Sequence, residues 1–556
     1  MIHEGFGCLG RRHFKKPCSF FGESTQNAFQ SNVAPYIMPM IYRWTPALLL
    51  TSFALILSGC STIKKTKQRL HTENDIVGET PQVALADQPV YSLEGGAAPL
   101  VGGWWRAYNN RDLSLWVQRV LNNNRDAVAA LKRLDQANAF LRQQASALFP
   151  SLDLRGGVDE VWRDGNINRN GTDEEFFAGV ALSYDIDIWQ RNKATRDSAR
   201  ALTDASREDL AEIAISVTRR AAELWFTLEE NREILKLLRA QVDINQDLYE
   251  VLRERQEIGQ AGLVDILQQE QQLASVQAQI PNVVAAIQSA GNQLRLLSNQ
   301  TPNALIPVAS AGGLPELPPA PELGSPLDLI EHRPDLRASW ARIRSAERDT
   351  AVAAAARLPI FSADFGYNFA AREITSLEDS QNANLGANIT APVLDGGRRR
   401  ATEDRQRAIT EERVINFGTD FLGAVNEVEN AIRNEQFQLD FIERLTKQAD
   451  LAGRVAEEAQ DQYNNGVGPF ITVFNARTAE QSSRRRVVRE KANLLRIRAG
   501  LYEALGGDWT KELVPEEEHQ AEPRKFLGVP YAPARSSDHH SPGHSPVLEH
   551  GHGHHH

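Results

Sequence analysis

The chain has 556 residues, 24% of them charged and 42% hydrophobic, with a formal net charge of −11. Such a chain is a folded protein too long for one small domain, and its acidic balance argues against a nucleic-acid binder. Its three cysteines, Cys8, Cys18 and Cys60, leave no disulfide possible beyond residue 60.

The one sustained apolar run, Ala47 to Gly59, follows Arg43. It is too short to span a bilayer, which needs about 20 residues, and fits the apolar core of a signal peptide. The signal starts naturally at Met38 or Met40, so residues 1–37 read as an over-called start and residues 1–59 as removed. Leu57-Ser58-Gly59-Cys60 resembles a bacterial lipobox. The resemblance implies cleavage before Cys60, a lipid on its thiol and, with Ser61 following, the outer membrane; the alternative is a plain secretory signal ending in Cys. Residues 1–59 carry five Lys/Arg and two Asp/Glu, so their removal lowers the charge from −11 to −14.

Residues 60–111 read as an extended lipidated segment anchored by Trp104-Trp105. A first repeat, 112–300, begins its helical period near Asp126 and stops at Pro150. A hairpin follows over about 150–189. Leu152, Leu154, Gly156 and Val158 share one face of its first strand, and Phe176, Ala178, Val180, Leu182, Tyr184 and Ile186 one face of its second. From about Gln190 to Ile258 a heptad-like stripe runs unbroken, interrupted by Asn231 and Asn245. At 1.5 Å per residue this helix is on the order of 100 Å long, and it must lie against other helices. Gly259-Gln260-Ala261-Gly262 breaks it, and a shorter helix returns from Leu263 to about Gln300. The first and third helices together match the length of the second, which predicts one continuous helix beside two stacked end to end.

A Pro/Gly-rich connector, 301–326, leads to a second repeat, 327–510. Pro359 matches Pro150 and Asp335 matches Asp126 at a spacing of 209; Gly386 matches Gly179 and Gly466 matches Gly259 at 207. A nearly constant spacing over so long a span is an internal duplication. The second hairpin, about 359–395, carries Phe361, Ala363, Phe365, Tyr367 and Phe369, then Leu385, Ala387 and Ile389, on one face. Asp395-Gly396-Gly397 turns this strand into the second long helix, where Ile188-Trp189-Gln190 serves the first repeat without glycine. Residues 511–556 are polar, Pro-rich and read as a disordered tail.

Four strands per chain cannot close a membrane barrel, whose smallest examples have about eight. Yet each strand has one apolar and one polar face, and an open sheet in hydrocarbon leaves its edges unsatisfied. Sheets from several chains must close together. Asp153, Arg155, Asp185, Asp187, Asp364, Asn388 and Thr390 on the polar faces favour a wet interior.

At this point the chain resembles the outer-membrane efflux proteins, the TolC-like family, in its NodT-type lipoprotein branch. The resemblance rests on Cys60, Trp104-Trp105, Phe149-Pro150-Ser151-Leu152, Leu182-Ser183-Tyr184-Asp185-Ile186-Asp187, His332-Arg333-Pro334-Asp335-Leu336-Arg337, Pro392-Val393-Leu394-Asp395-Gly396-Gly397-Arg398 and Leu505-Gly506-Gly507-Asp508-Trp509, in family order. It implies an α+β membrane protein: a homotrimer with a twelve-stranded transmembrane β-barrel continued by a coiled-coil α-barrel. It also implies passive export of small molecules (drugs, toxic compounds or metal ions), with a periplasmic adaptor protein and an inner-membrane pump as partners.

By the same resemblance, the adaptor docks on the helical tips, Gly259, Gln260, Ala261, Gly262 and Leu263 with Val467, Gly468, Pro469 and Phe470. The periplasmic gate falls at Thr472 and Asn475, where the family often has Asp, so a ring here would be polar but uncharged. Tyr463 aligns with a tyrosine that clasps the closed state in some members. No cofactor is expected beyond the lipid on Cys60. His539, His540, His544, His550, His552, His554, His555 and His556 could chelate a borderline metal, or simply be a solvated tail or cloning remnant. No Walker loop, nucleophile elbow or clustered ligands point to an enzyme. A type I protein-secretion channel and a structural coiled-coil lipoprotein scaffold are the alternatives.

Overall fold

The computed structural model describes residues 90–93, 95, 96, 98, 103–163, 171–302, 313–507, 525, 526, 529 and 530. Cys60 and the tail histidines lie outside the described residues. The elements are helices α1 (Arg111–Asn123) and α2 (Arg125–Ser146), strands β1 (Ser151–Arg163) and β2 (Gly171–Ile186), and helices α3 (Arg191–Glu257) and α4 (Leu263–Leu297). A helical turn at Leu329–His332 then precedes α5 (Pro334–Ala355), β3 (Ile360–Ala371), β4 (Gln381–Thr390), α6 (Arg398–Asn464) and α7 (Phe470–Leu505). Within the stretch expected to be disordered, β5 (Lys525–Phe526) pairs antiparallel with β6 (Val529–Pro530).

Helices α3 and α6 each have 67 residues. α2 and α4 lie along α3, and α5 and α7 along α6, as the stacked arrangement predicts. The repeats join because α5 and α7 also pack on α3. The asparagines that interrupt the α3 stripe have separate roles. Asn245 is buried, and its backbone O and Oδ1 accept from Gln269 Nε2 of α4 at 2.9 and 3.0 Å, which sets the register of the returning helix. Asn231 instead donates to its own helix at Thr227 O.

The periodic reading starts at Asp126 and misses α1. Asn110 caps α1 through the Leu113 amide, and Leu113, Val117 and Val120 are fully buried. Asn124 ends α1 and caps α2, accepting from Asp126 N and Ala127 N. The core beneath α1 gathers Trp104, Trp105, Tyr108, Trp225, Phe226, Leu294 and Tyr502. A second core holds Leu336, Ile343, Phe417, Phe421 and Val428, and a third, near the turns, holds Leu252, Ile266, Tyr463, Phe470 and Val473. An N-terminal strap crosses the second repeat: Tyr91 and Leu93 pack on the second core, Ser92 bonds Glu429, and Ala98 bridges Pro321 of the connector.

Candidate functional site

The four strands form one antiparallel sheet in the order β1-β2-β3-β4. Its registers align the apolar positions of both repeats. Leu152 lies opposite Leu182, Leu182 opposite Phe365 and Phe365 opposite Leu385, a single apolar row across the sheet. The other face pairs Ser183 with Asp364 and Ser362 with Asn388, and Asn388 Nδ2 donates to Asp364 Oδ2 at 2.7 Å. The apolar face is bare at both edge strands: Leu154 is 85% exposed and Leu385 84%. β1 and β2, with 13 and 16 residues, exceed the 9–11 that a tilted strand needs to cross the hydrocarbon. Among the described residues β1 and β4 each pair on one side only.

Each long helix leaves the sheet through a left-handed residue. Gln190 precedes α3 with φ 59°, and Gly397 precedes α6 with φ 86°. Asp187 accepts from the Asn192 and Lys193 amides, and Asp395 from those of Gly397 and Arg399. A carboxylate therefore caps each helix where its unpaired amides and positive dipole end lie. The repeats differ in that Gly396 is also left-handed, at φ 63°.

At the far end the two tips share one turn. Gly259 and Gly466 have φ 74° and 73°. Gln260 N donates to Arg255 O, and Val467 N to Gln462 O, the six-to-one bond of a Schellman motif. Ile258, Leu263, Val264 and Val467 are exposed around these turns. The expected gate residues separate. Thr472 and Asn475 are exposed on the first turns of α7, whereas Tyr463 is buried against Phe470, with its hydroxyl lacking a partner among the described residues. Arg255, which periodicity passes over as one more polar-face charge, joins the tips. Its guanidinium lies 4.5 Å from the Tyr463 ring centre and donates to Tyr463 O and Asn464 O at 3.1 and 3.3 Å.

Among the described residues no helix is long and apolar enough to cross a membrane, and no group of three or more His, Cys, Asp or Glu could hold a metal. An amphipathic sheet open at both edges, set on a long helical rod, defines a channel-forming outer-membrane protein. The sequence profile of the outer membrane efflux protein family matches residues 116–300 and 326–507, and the chain belongs to that family.

The chain is 27% identical over 435 residues to the pyoverdine export outer membrane protein OpmQ of Pseudomonas aeruginosa, covering 74% of this chain and 88% of that protein. It is 24% identical to the toluene efflux pump outer membrane protein TtgC of Pseudomonas putida, covering 84% and 96%. Nodulation protein T of Rhizobium leguminosarum bv. trifolii is 22% identical, covering 80% and 94%. The solved outer-membrane channel OprN superposes with a TM-score of 0.69 at 21% identity, covering 77% of this chain and all of that one. The transmembrane channel CusC gives 0.68 at 22%, covering 76% and 98%.

Proposed function

We propose that this chain is the outer-membrane channel of a tripartite efflux system, through which an inner-membrane pump expels small organic molecules via a periplasmic adaptor. The observation that carries the reading is the sheet with one bare apolar face and two open edges. In hydrocarbon each unpaired backbone group costs several kcal/mol, so the edges must meet copies of themselves. Two copies would close eight strands, a barrel nearly filled by side chains; three close twelve and leave room for water. Three copies of the rod continue that barrel as a helical tunnel.

The lipid on Cys60 anchors the N-terminal segment, and the adaptor seats on the apolar tips at Gly259–Leu263 and Val467–Phe470. Thr472 and Asn475 line the constriction without charge, which suits organic solutes better than a ring selecting metal cations. The names of the relatives, pyoverdine export and toluene efflux, are in keeping with that class.

Purified protein in planar bilayers is expected to give discrete conductance steps, and loss of the gene to raise sensitivity to toluene and dyes. A protein that never conducts overturns the channel. A null strain that loses only a secreted protein, with solvent tolerance intact, overturns the efflux assignment.

A further inference from the structure

One helix of this acidic chain carries a basic run. From Arg484 to Lys491, α7 reads RRRVVREK, with Glu490 as its one acidic residue. Two of the adjacent arginines are engaged: Arg484 pairs with Glu480 at 2.8 Å, and Arg485 donates to Gln241 Oε1 of α3. Arg486 and Arg489 are exposed, and among the described residues neither makes a hydrogen bond or an ion pair. The Arg486 guanidinium lies 5.3 Å from the ring centre of Phe441 on α6, a contact that positions the cation and leaves its N–H groups open. Burial and, after it, the unneutralised charge of Arg489 push the Arg485 pKa below the usual guanidinium range.

Spacing fixes the face on which these two arginines stand. Thr472 and Asn475, the residues of the proposed constriction, are each followed by an arginine after 14 residues: Arg486 and Arg489. That interval is two heptads, which returns a helix packed in a coiled-coil rod to the same face. Ala479 and Ser482, between them, are exposed as well, so one open stripe runs from Thr472 to Arg489. Beside it Val473, Ala476, Glu480, Gln481 and Ser483 are buried. At 1.5 Å per residue the arginines stand about 21 Å behind the constriction.

We propose that Arg486 and Arg489 form a basic collar in the channel lumen behind that constriction, and that the collar selects organic anions bearing carboxylates. The inference rests on the channel and the constriction assigned above, and it narrows their organic solutes to a charged class. A guanidinium presents a planar fork of donors that takes a carboxylate through two parallel bonds, and a fork with no protein carboxylate on it is open to a solute's. Three copies bring three such pairs to one ring, where low-dielectric walls focus their field, so a solute with several carboxylates is held better than one with a single charge. The constriction carries no charge and does not repel such a solute. The polar face of the sheet, with Asp153, Asp185 and Asp364, does not cancel the collar. Phe441, beside Arg486, lies on the order of 65 Å along α6 from Arg398, where the rod meets the sheet, and salt screens charges beyond about 8 Å.

The test uses full-length protein in planar bilayers. The polar rod cannot follow the sheet through the bilayer, so protein added from one side keeps its tips on that side. Citrate added to the other side enters through the barrel and meets the collar before the constriction. It should block the wild-type conductance, less so as salt rises. Arg486→Gln with Arg489→Gln should raise the half-blocking concentration about tenfold or more, and should lower the anion-over-cation permeability ratio. Arg486→Lys with Arg489→Lys, which keeps the charge, should stay within about threefold of wild type, and Lys491→Gln, on another face of α7, should change nothing. Equal block of wild type and the glutamine pair overturns the collar and leaves the channel standing. Block lost equally in the lysine pair overturns selection by charge. A glutamine pair that no longer assembles would place the arginines in contacts between copies and likewise overturn the collar. Wild-type protein that never conducts overturns both the collar and the channel.

Discussion

Arg498 and Glu435 form a bidentate pair in the core of the rod. Nε and Nη2 of Arg498 donate to the two Glu435 oxygens at 2.6 and 2.5 Å, and Nη1 donates to Pro318 O and Pro319 O at 2.6 and 2.8 Å. Arg498 is 2% exposed, and the pair draws its pKa upward despite the opposing effect of burial. One guanidinium thus ties α7 to α6 and both to the connector between the repeats.

Removing either partner leaves the other charge buried and alone, at a cost of about 3–5 kcal/mol, whereas replacing both with apolar side chains often costs little. Glu435→Ala should therefore lower the thermal transition of the purified protein well below that of Glu435→Leu with Arg498→Met. Equal transitions for the single and double variants would show that the pair contributes only volume.

This pair also marks where reading the sequence ends. The four strands, their shared apolar face, the two long helices and their breaks at Gly259 and Gly466 all follow from period and punctuation, because each rests on local rules. Arg498 and Arg255 do not. In the sequence they are ordinary charges in polar-rich helices, and only the packing of a distant segment sets them apart. α1 is missed for a related reason. Trp104, Trp105 and Tyr108 draw the eye to an anchor, and the apolar spacing of Leu113, Val117 and Val120 is too brief to stand out beside a helix of 67 residues. The turn at Asp395-Gly396-Gly397 is legible as a turn from its glycines, but the left-handed Gln190 that serves the first repeat is not legible as such, since glutamine gives no such signal.

The Gly396-Gly397 turn has open space around it: a Cβ added at either position meets nothing within 4 Å. The cost of a side chain there is backbone strain alone, about 1–2 kcal/mol at each position, and higher for a β-branched residue. Gly396→Val with Gly397→Val should reduce the yield of assembled oligomer more than any pair of valines in the preceding loop. Gly397→Asn, which tolerates the left-handed region, should assemble almost normally. Normal yield from the double valine variant would refute a conformational role.

Glu347 on α5 makes stability depend on pH. Burial, opposed by Arg348 and Arg344, raises its pKa from 4.5 to about 7, and its Oε1 has no hydrogen-bond partner among the described residues. The folded protein holds this proton more tightly than the unfolded chain. The penalty is therefore absent below about pH 4.5, grows as pH rises through the window, and is complete above about pH 7. Glu347→Gln removes it. Allowing for partial solvent screening, the variant should be more stable than wild type by about 1 kcal/mol at pH 8 and equal to it at pH 4.5. A difference that persists unchanged at pH 4.5 would assign the effect to packing rather than to ionisation.

At the tips, Arg255 and Tyr463 separate two ways of holding the two long helices together. The Tyr463 ring is packed by Phe470 at 5.7 Å and capped by the Arg255 guanidinium, while its hydroxyl has no hydrogen-bond partner among the described residues. The ring and the arginine hold α3 to α6 here, and the hydroxyl does not. Tyr463→Phe should leave the tip intact and shift stability by less than about 1 kcal/mol, since it removes a buried group that lacks a partner. Arg255→Ala removes a cation–π contact and two hydrogen bonds to backbone oxygens, together about 2 kcal/mol. Hydrogen exchange at residues 255–263 and 462–470 is expected to quicken in Arg255→Ala, and single-channel recordings to show longer open times. Faster exchange in Tyr463→Phe than in Arg255→Ala would move the clasp to the hydroxyl and to a partner on another copy.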